Sequence, residues 1–241
     1  MYKRFFFDVD NTLTRSRSEV SSEMVKAMDK LTEQADLIAV SGAEEVQIWK
    51  QLTDAFKSKL YILAQNGNYA RLPGAKDTIW AEDLTDSMRR DIDKHILAIR
   101  ERFSILFDNV NEDDLVQDRG CQVGFSLYGH NAPVEEKERF DPDRSLRKRI
   151  LKEVPFESSE VEIKIGGTTT FDYFKSGSNK GVNVDRLIKY MDWKHDDCIY
   201  IGDGLSEGGN DESVIGVCDT LPVSDYKETL NVVNGFLQKK V

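Results

Sequence analysis

Three consecutive phenylalanines, Phe5-Phe6-Phe7, run straight into Asp8-Val9-Asp10-Asn11-Thr12, and this junction constrains the chain more than any other stretch. An apolar run of strand-forming side chains with no polar alternation describes a strand covered on both faces. Such strands belong to parallel sheets flanked by helices, where ligands bind just past the carboxyl ends of the strands. Asp8 and Asp10 stand at that place, two residues apart, and an extended chain turns both side chains the same way. Carboxylates so placed repel each other unless a cation or a proton intervenes, and hard oxygen donors suit Mg²⁺. Alone, the segment also fits a polar turn, because Asp and Asn favour turns. The remainder of the chain has to decide.

Beyond this junction the chain alternates regularly between helix and strand patterns. Ser21 or Ser22 caps a helix whose stripe is Met24, Met28 and Leu31, with Val25 or Ala27 beside them. Leu37 to Val40 is a second buried strand, ending at Ser41-Gly42-Ala43. A helix with Ile48, Leu52, Ala55 and Phe56 comes next, and Leu60 to Ala64 is a third strand ending in the turn Gln65-Asn66-Gly67-Asn68. This order implies a right-handed α/β arrangement with its loops gathered at one sheet edge. Near Trp80 the pattern changes. Met88, Ile92, Ile96, Ile99 and Phe103 mark a one-sided helix; Cys121 to Tyr128, Val161 to Ile165 and Thr169 to Phe174 alternate as half-buried strands; Asp143 is placed to cap a helix carrying Leu146, Ile150 and Leu151. From Lys180 the first pattern returns, with a helix through Val184, Leu187, Ile188 and Met191, a buried strand Cys198 to Ile201, another at Val214 to Cys218, and a last helix holding Leu230, Val233, Phe236 and Leu237. The reading is a parallel core over residues 1–82 and 178–241, interrupted by an α+β insert over 83–177, a plausible domain size.

Composition narrows the function classes. The net charge is −10, with 43 acidic against 33 basic residues, which argues against nucleic acid or an anionic membrane as the main partner. An anionic small substrate remains compatible, since local cations reverse the field inside a site. No apolar run approaches the ~20 residues of a membrane span, and the apolar run near the amino terminus reaches Asp8 too soon for a signal peptide; a cytoplasmic location is expected. The three cysteines, Cys121, Cys198 and Cys218, have no metal-type spacing and read as buried reduced thiols.

The second strand-end of chemical interest comes after Ile201: Gly202-Asp203-Gly204 leads to Gly208-Gly209-Asn210-Asp211. Glycines permit close backbone approach, and Asp203 is placed to share a cation with Asp8. Ser41 and Gly42 offer a hydroxyl and a backbone N–H to phosphate oxygens at a third strand end. Lys180 stands where the chain re-enters the core and brings a positive charge.

These residues resemble the motifs of the haloacid dehalogenase (HAD) superfamily. Its D-x-D-x-T stands here as Asp8-Val9-Asp10-Asn11-Thr12, its lone Ser or Thr as Ser41, its lysine as Lys180, and its acidic loop as Asp203, Asn210 and Asp211. Asn11 replaces the usual Gly and tolerates left-handed backbone well. The resemblance implies a Rossmann-like parallel-sheet HAD core with an inserted α/β cap. Within the superfamily, Gly166-Gly167-Thr168-Thr169-Thr170-Phe171-Asp172-Tyr173-Phe174 resembles the sugar-contacting G-G-x-x-S-F-D-x-F of the eukaryotic-type phosphomannomutases and neighbouring sugar phosphatases. By the same resemblance Arg17 and Arg119 contact substrate, and Thr170 and Asp172 read sugar hydroxyls.

The resemblance further implies Mg²⁺ bound by Asp8, the Asp10 carbonyl and Asp203 within the acidic set that includes Asn210 and Asp211. Asp8 is then the nucleophile, Asp10 the acid and base, and Ser41, Gly42 and Lys180 hold the phosphoryl group. One departure bears on the reaction. Where the mutases carry Gly-Arg, this chain has Gly129-His130, and a histidine grips a second phosphate less firmly than an arginine fork. Ser41-Gly42-Ala43 also resembles the phosphatase form of that motif. The expectation is a sugar-phosphate phosphatase acting on a hexose phosphate; the alternative is a phosphomannomutase or phosphoglucomutase using a hexose bisphosphate. Without a role in the site, His130 is a surface loop residue, and His95 and His195 read as structural or solvated. Two further readings are a receiver-like signalling domain, which needs neither the insert nor Asp10, and a catalytically silent scaffold. The state expected is a monomer or a homodimer through the cap, with the Met88 to Phe103 helix as its face.

Overall fold

The phenylalanine run forms β1 (Arg4–Asp8), which sends Phe5 and Phe7 to one face of a sheet and Phe6 to the other. The computed structural model describes residues 2–107 and 110–238. Along the chain come α1 (Ser22–Thr32), β2 (Asp36–Val40), α2 (Glu45–Leu52), β3 (Leu60–Ala64), β4 (Tyr69–Arg71) and β5 (Thr78–Ala81). Next are α3 (Asp86–Arg102), β6 (Val116–Asp118), β7 (Gln122–Ser126), α4 (Val134–Phe140), α5 (Ser145–Glu153), β8 (Val161–Gly166) and β9 (Thr170–Lys175). The chain finishes with α6 (Lys180–Tyr190), β10 (Cys198–Gly202), β11 (Asp219–Pro222) and α7 (Tyr226–Gln238). It divides into two compact units, one of 1–81 with 178–241, the other of 82–177.

In the first unit the strand order is β11-β10-β1-β2-β3-β4-β5, parallel from β11 through β3. Phe5, Phe7, Leu37, Ala39, Ile199 and Ile201 pack with α1, α2 and α7, whereas Phe6, Ile38, Val40 and Tyr200 pack with Val184, Leu187 and Ile188 of α6. Helices on both faces explain why these strands carry no polar alternation. Ser21 is the residue that caps α1, accepting from Met24 N at 3.2 Å. Among the described residues no helix is long and apolar enough to cross a membrane, and all three cysteines are free thiols.

Four local expectations change. The parallel sheet gains an antiparallel extension, because β3 turns back through the left-handed residues Gln65, Asn66 and Gly67 into β4 and β5. Helix α2 stops at Leu52, where Thr53 takes φ 68°, so Phe56 reaches the core from a separate turn; the side chain of Ala55 lies outside the described residues. The strand expected at Val214–Cys218 forms at Asp219–Pro222 instead, since Glu212–Val214 is a 3₁₀ turn and Gly216 has φ 89°. At α5 it is Asp141 that accepts from Leu146 N, while Asp143 accepts from Ser145 N.

The second unit is an antiparallel sheet, β6-β7-β9-β8, with α3 and Ile150 of α5 packed on Val123, Phe125, Phe171 and Tyr173. All five residues of the predicted stripe on α3 lie in this core. His95, on the same helix, is buried: Nδ1 accepts from the Tyr173 hydroxyl and Nε2 donates to Val154 O, both at 2.8 Å. Its role is structural.

Candidate active site

β1 and β10 run parallel with Phe7 beside Ile201, so Asp8 at the end of one strand and Asp203 just past the other emerge side by side. Asp211 returns to the same point from the glycine-rich loop, and carboxylate oxygens of Asp8, Asp203 and Asp211 lie within 4.8 Å of one another. Lys180, the first residue of α6, donates from Nζ to Asp8 Oδ1 at 2.5 Å and to Asp211 Oδ1 at 2.6 Å, and is only 2% exposed. Tyr200 donates its hydroxyl to the same Asp211 oxygen at 2.8 Å. A side chain on Gly202 would press on the Asp211 carboxylate and the Tyr200 ring. Thr12 braces the two loops: Asp203 N donates to its hydroxyl at 3.1 Å, and that hydroxyl stands 3.3 Å from Asp203 Oδ1. Asn11 takes φ 61°, as its place in the loop requires.

The electrostatics of this cluster are unbalanced. Burial, followed by the charges of Asp211 and Asp203, pushes the Asp8 carboxyl above its ordinary range against the opposing pull of Lys180. Asp203 is raised by burial and by Asp211. Burial pulls the Lys180 pKa down, but the charges of Asp211 and Asp8 and their hydrogen bonds outweigh it and raise it above the ordinary value. Three carboxylates thus face one ammonium, and a surplus of buried negative charge on oxygen donors is what a hard divalent cation relieves. The residues present fit such an ion.

Asp10 points elsewhere. Its Oδ1 accepts from Arg17 N at 2.8 Å and from Gln51 Nε2 at 3.1 Å, and Gln51 also reaches Thr14 Oγ1 at 3.1 Å. Gln51 is 1% exposed and was missed from the sequence; the available signal was an amide adjoining Leu52 on the apolar side of a predicted helix. Arg17 itself is half-buried with φ 54°. Ser41 is buried at the end of β2, its hydroxyl accepting from Ala43 N at 3.0 Å, with Gly42 between them. Asn210 is exposed, its amide oxygen filling the space beside Gly204.

The second unit makes its own convergence. Gly124 of β7 pairs with Asp172 of β9. A Cβ on Gly124 would lie 3.0 Å from Arg119 Nη2 and 3.1 Å from His130 Cε1. Arg119 Nη1 is 4.0 Å from Asp172 Oδ1. Arg119, His130 and Asp172 therefore meet around one glycine, with Thr170 two residues before Asp172 on the same strand face. His130 is 2% exposed, with Nε2 3.2 Å from Gly124 O, so the surface-loop reading fails. Lys137, also buried, donates to His130 O at 2.9 Å; nothing in its charge-rich surroundings singled it out.

Comparison with known proteins fits this geometry. The model of the haloacid dehalogenase-like hydrolases matches residues 5–218. The phosphomannomutase of Spinacia oleracea is 27% identical over 97% of this chain and 96% of its own length, and phosphomannomutase 2 of Dictyostelium discoideum is 28% identical over the same shares. Among solved structures, SMU.1108c of Streptococcus mutans UA159 superposes with a TM-score of 0.69 at 16% identity, covering 99% of this chain and 100% of that one. An IMP-nucleotidase of Plasmodium falciparum gives 0.69 at 16% identity, covering 98% of this chain and 70% of that chain. At such identity these two structures speak for the fold.

Proposed function

The chain belongs to the haloacid dehalogenase-like hydrolase family, and we propose that it transfers the phosphoryl group of a hexose phosphate to water through an aspartyl-phosphate on Asp8. The observation that carries this reading is the Lys180 ammonium bridging Asp8 and Asp211 at the ends of parallel strands. An Asp8 oxygen attacks phosphorus as the bond to the sugar oxygen breaks. Asp10, steadied by Gln51 and the Arg17 N–H, gives a proton to that leaving oxygen. It then takes a proton from the water that attacks the acyl phosphate, releasing inorganic phosphate and restoring Asp8. Ser41, the Gly42 N–H and Lys180 hold the phosphoryl oxygens. Asp8, Asp203 and Asp211, with the Asp10 carbonyl, would hold Mg²⁺, which when bound neutralises charge on the transferring group. Asn210 acts from the same loop. In the second unit Arg119, Thr170 and Asp172 read the sugar, and Arg17 contributes from the first.

Phosphatase is preferred to mutase because His130 stands where the mutase pattern has arginine and is committed to Gly124 O, which leaves Arg119 as the guanidinium at the Gly124 cluster. The mutase reading keeps a specific support, since phosphomannomutases match this chain over almost its whole length. Two measurements separate them. Phosphate release from mannose 6-phosphate with Mg²⁺, abolished in Asp8→Asn, supports the first. Bisphosphate-stimulated conversion of mannose 1-phosphate to the 6-phosphate, without net phosphate release, replaces it with the second.

A further inference from the structure

The turn Gln65–Asn68 takes an unusual course. Gln65, Asn66 and Gly67 have φ of 52°, 59° and 83°, three left-handed residues in succession. Left-handed backbone is disfavoured for residues other than glycine and persists where surrounding contacts over-determine it. Here the contacts lead to four places. Gln65 N donates to Ala43 O at 2.9 Å and Asn66 N to Ser41 O at 2.8 Å, so the turn grips the backbone of the Ser41–Ala43 loop. Gly67 O accepts from the Trp80 indole N–H at 2.9 Å, and Trp80 lies on the strand from which the chain leaves the first unit.

On the return side, Ser178 O accepts from Asn68 Nδ2 at 3.0 Å and from Asn183 Nδ2 at 3.2 Å. Asn183 Nδ2 also stands 3.0 Å from Asn66 O and 3.3 Å from Asn68 Oδ1. Asn68 and Asn183 are 0% and 1% exposed, and a side chain on Gly67 would collide with Asn183. Ser178 immediately precedes Asn179, whose side chain caps α6 by accepting from Val182 N at 3.1 Å. Lys180 is the next residue. The opposite side of the same helical turn is held by Ser213, whose hydroxyl accepts from Gly181 N at 3.1 Å. Trp80 in turn stacks beneath Arg186 of α6, 4.3 Å from guanidinium carbon to ring centre.

We propose that Asn68 and Asn183 are positioning residues for phosphoryl transfer: with the left-handed turn they lock the Ser41–Ala43 loop, the first turn of α6 with Lys180, and both chain crossings to the second unit into one frame. The buried amides act through Ser178 and Asn179 and touch no reacting atom. The proposal rests on the phosphoryl-transfer reading for its effect on rate, and on hydrogen bonding alone for the frame.

The test uses the full chain, with p-nitrophenyl phosphate and Mg²⁺ as probe. Asn68→Ala and Asn183→Ala are expected to lower kcat on the order of 10- to 100-fold, the usual penalty for about 1 Å of misplacement, with KM changed less than about threefold. Trp80→Phe, which removes one donor and keeps an aromatic ring, is the milder variant and should lower kcat by about two- to fivefold. Hydrogen exchange supplies the readout that a purely local structural role would not move. Asn183→Ala should speed exchange at the Gln65 and Asn66 amides as well as at Val182 and Asn183, and Trp80→Phe should do so more weakly at the first pair. Full kcat in folded variants, or faster exchange confined to α6, overturns the frame. If Asn183→Ala does not fold, Trp80→Phe decides by the same two criteria. A wild-type chain that releases no phosphate overturns the phosphatase reading instead, and exchange alone then decides the frame.

Discussion

Lys180 and Arg147 are two buried cations, each paired with carboxylate, and they do opposite things. Lys180, 2% exposed, bridges Asp8 and Asp211 in a first-unit cluster that holds more carboxylates than cations. Arg147, 1% exposed, meets Asp141 through Nε at 2.6 Å, and its Nη1 lies 2.6 Å from Gly166 O, 3.1 Å from Gly167 O and 3.3 Å from Thr170 O. Its charge is matched by one carboxylate and its donors by backbone carbonyls of the β8–β9 turn. Burial alone does not distinguish a site from a scaffold. The distinction is whether the partners cancel the charge: Arg147 is neutralised where it sits, whereas Lys180 lies in a cluster still negative enough to call for another cation.

The sharpest way to break this comparison is Lys180→Met. Loss of the ammonium should lower kcat at least on the order of 10³-fold, as removal of a preorganised charge from a transition state does; near-normal turnover would place Lys180 with the scaffold. Arg147→Met should instead appear in stability, about 3 kcal/mol in urea unfolding, because it strands the Asp141 carboxylate. The paired change Arg147→Met with Asp141→Leu should recover much of that loss, whereas a folded but inactive single variant would move Arg147 into the site. Gln51→Leu comes next. Removing one donor to a charged group, worth roughly 1.5–3 kcal/mol, should cut kcat about tenfold or more while leaving Mg²⁺ dependence in place.

The smallest effect belongs to His95. Burial lowers its pKa from 6.5, against the opposing bond to Val154 O. The unfolded chain therefore takes up the proton first. The stability that neutral His95 confers is complete above about 6.5 and is lost as pH falls through the lowered folded value. His95→Gln should flatten the decline in the stability of the second unit on that acid side, measured as melting temperature against pH.

Much of the carboxylate–lysine cluster was legible because its members are announced locally. Asp8, Ser41 and Asp203 each end or follow a short apolar run, and Lys180 marks the return of the helix–strand pattern. Asn183 and Lys137 were not legible, and Gln51 was marked only by its place beside Leu52. Gln51 meets Asp10 from 41 positions away, and Asn183 meets Asn66 from 117. A buried amide has no periodicity of its own; its meaning lies in the acceptor that folding brings to it. His130 shows the same limit in reverse, since its loop-like neighbourhood gave no sign of burial against Gly124.

The amino-acid sequence by itself determined which loops bring polar side chains to the strand ends, because a strand buried on both faces must release its polar residues at its end. It also determined where the pattern of one unit gives way to that of the other. Only the tertiary structure decided that Lys180 bridges Asp8 and Asp211, that Asp10 turns to Gln51, and that the sheet continues antiparallel beyond β3. Those outcomes depend on strand order, on the left-handed turn at Gln65–Gly67 and on which charges burial leaves uncancelled. Each is a relation between residues far apart in the chain, settled by how the strands pair and the helices cover them.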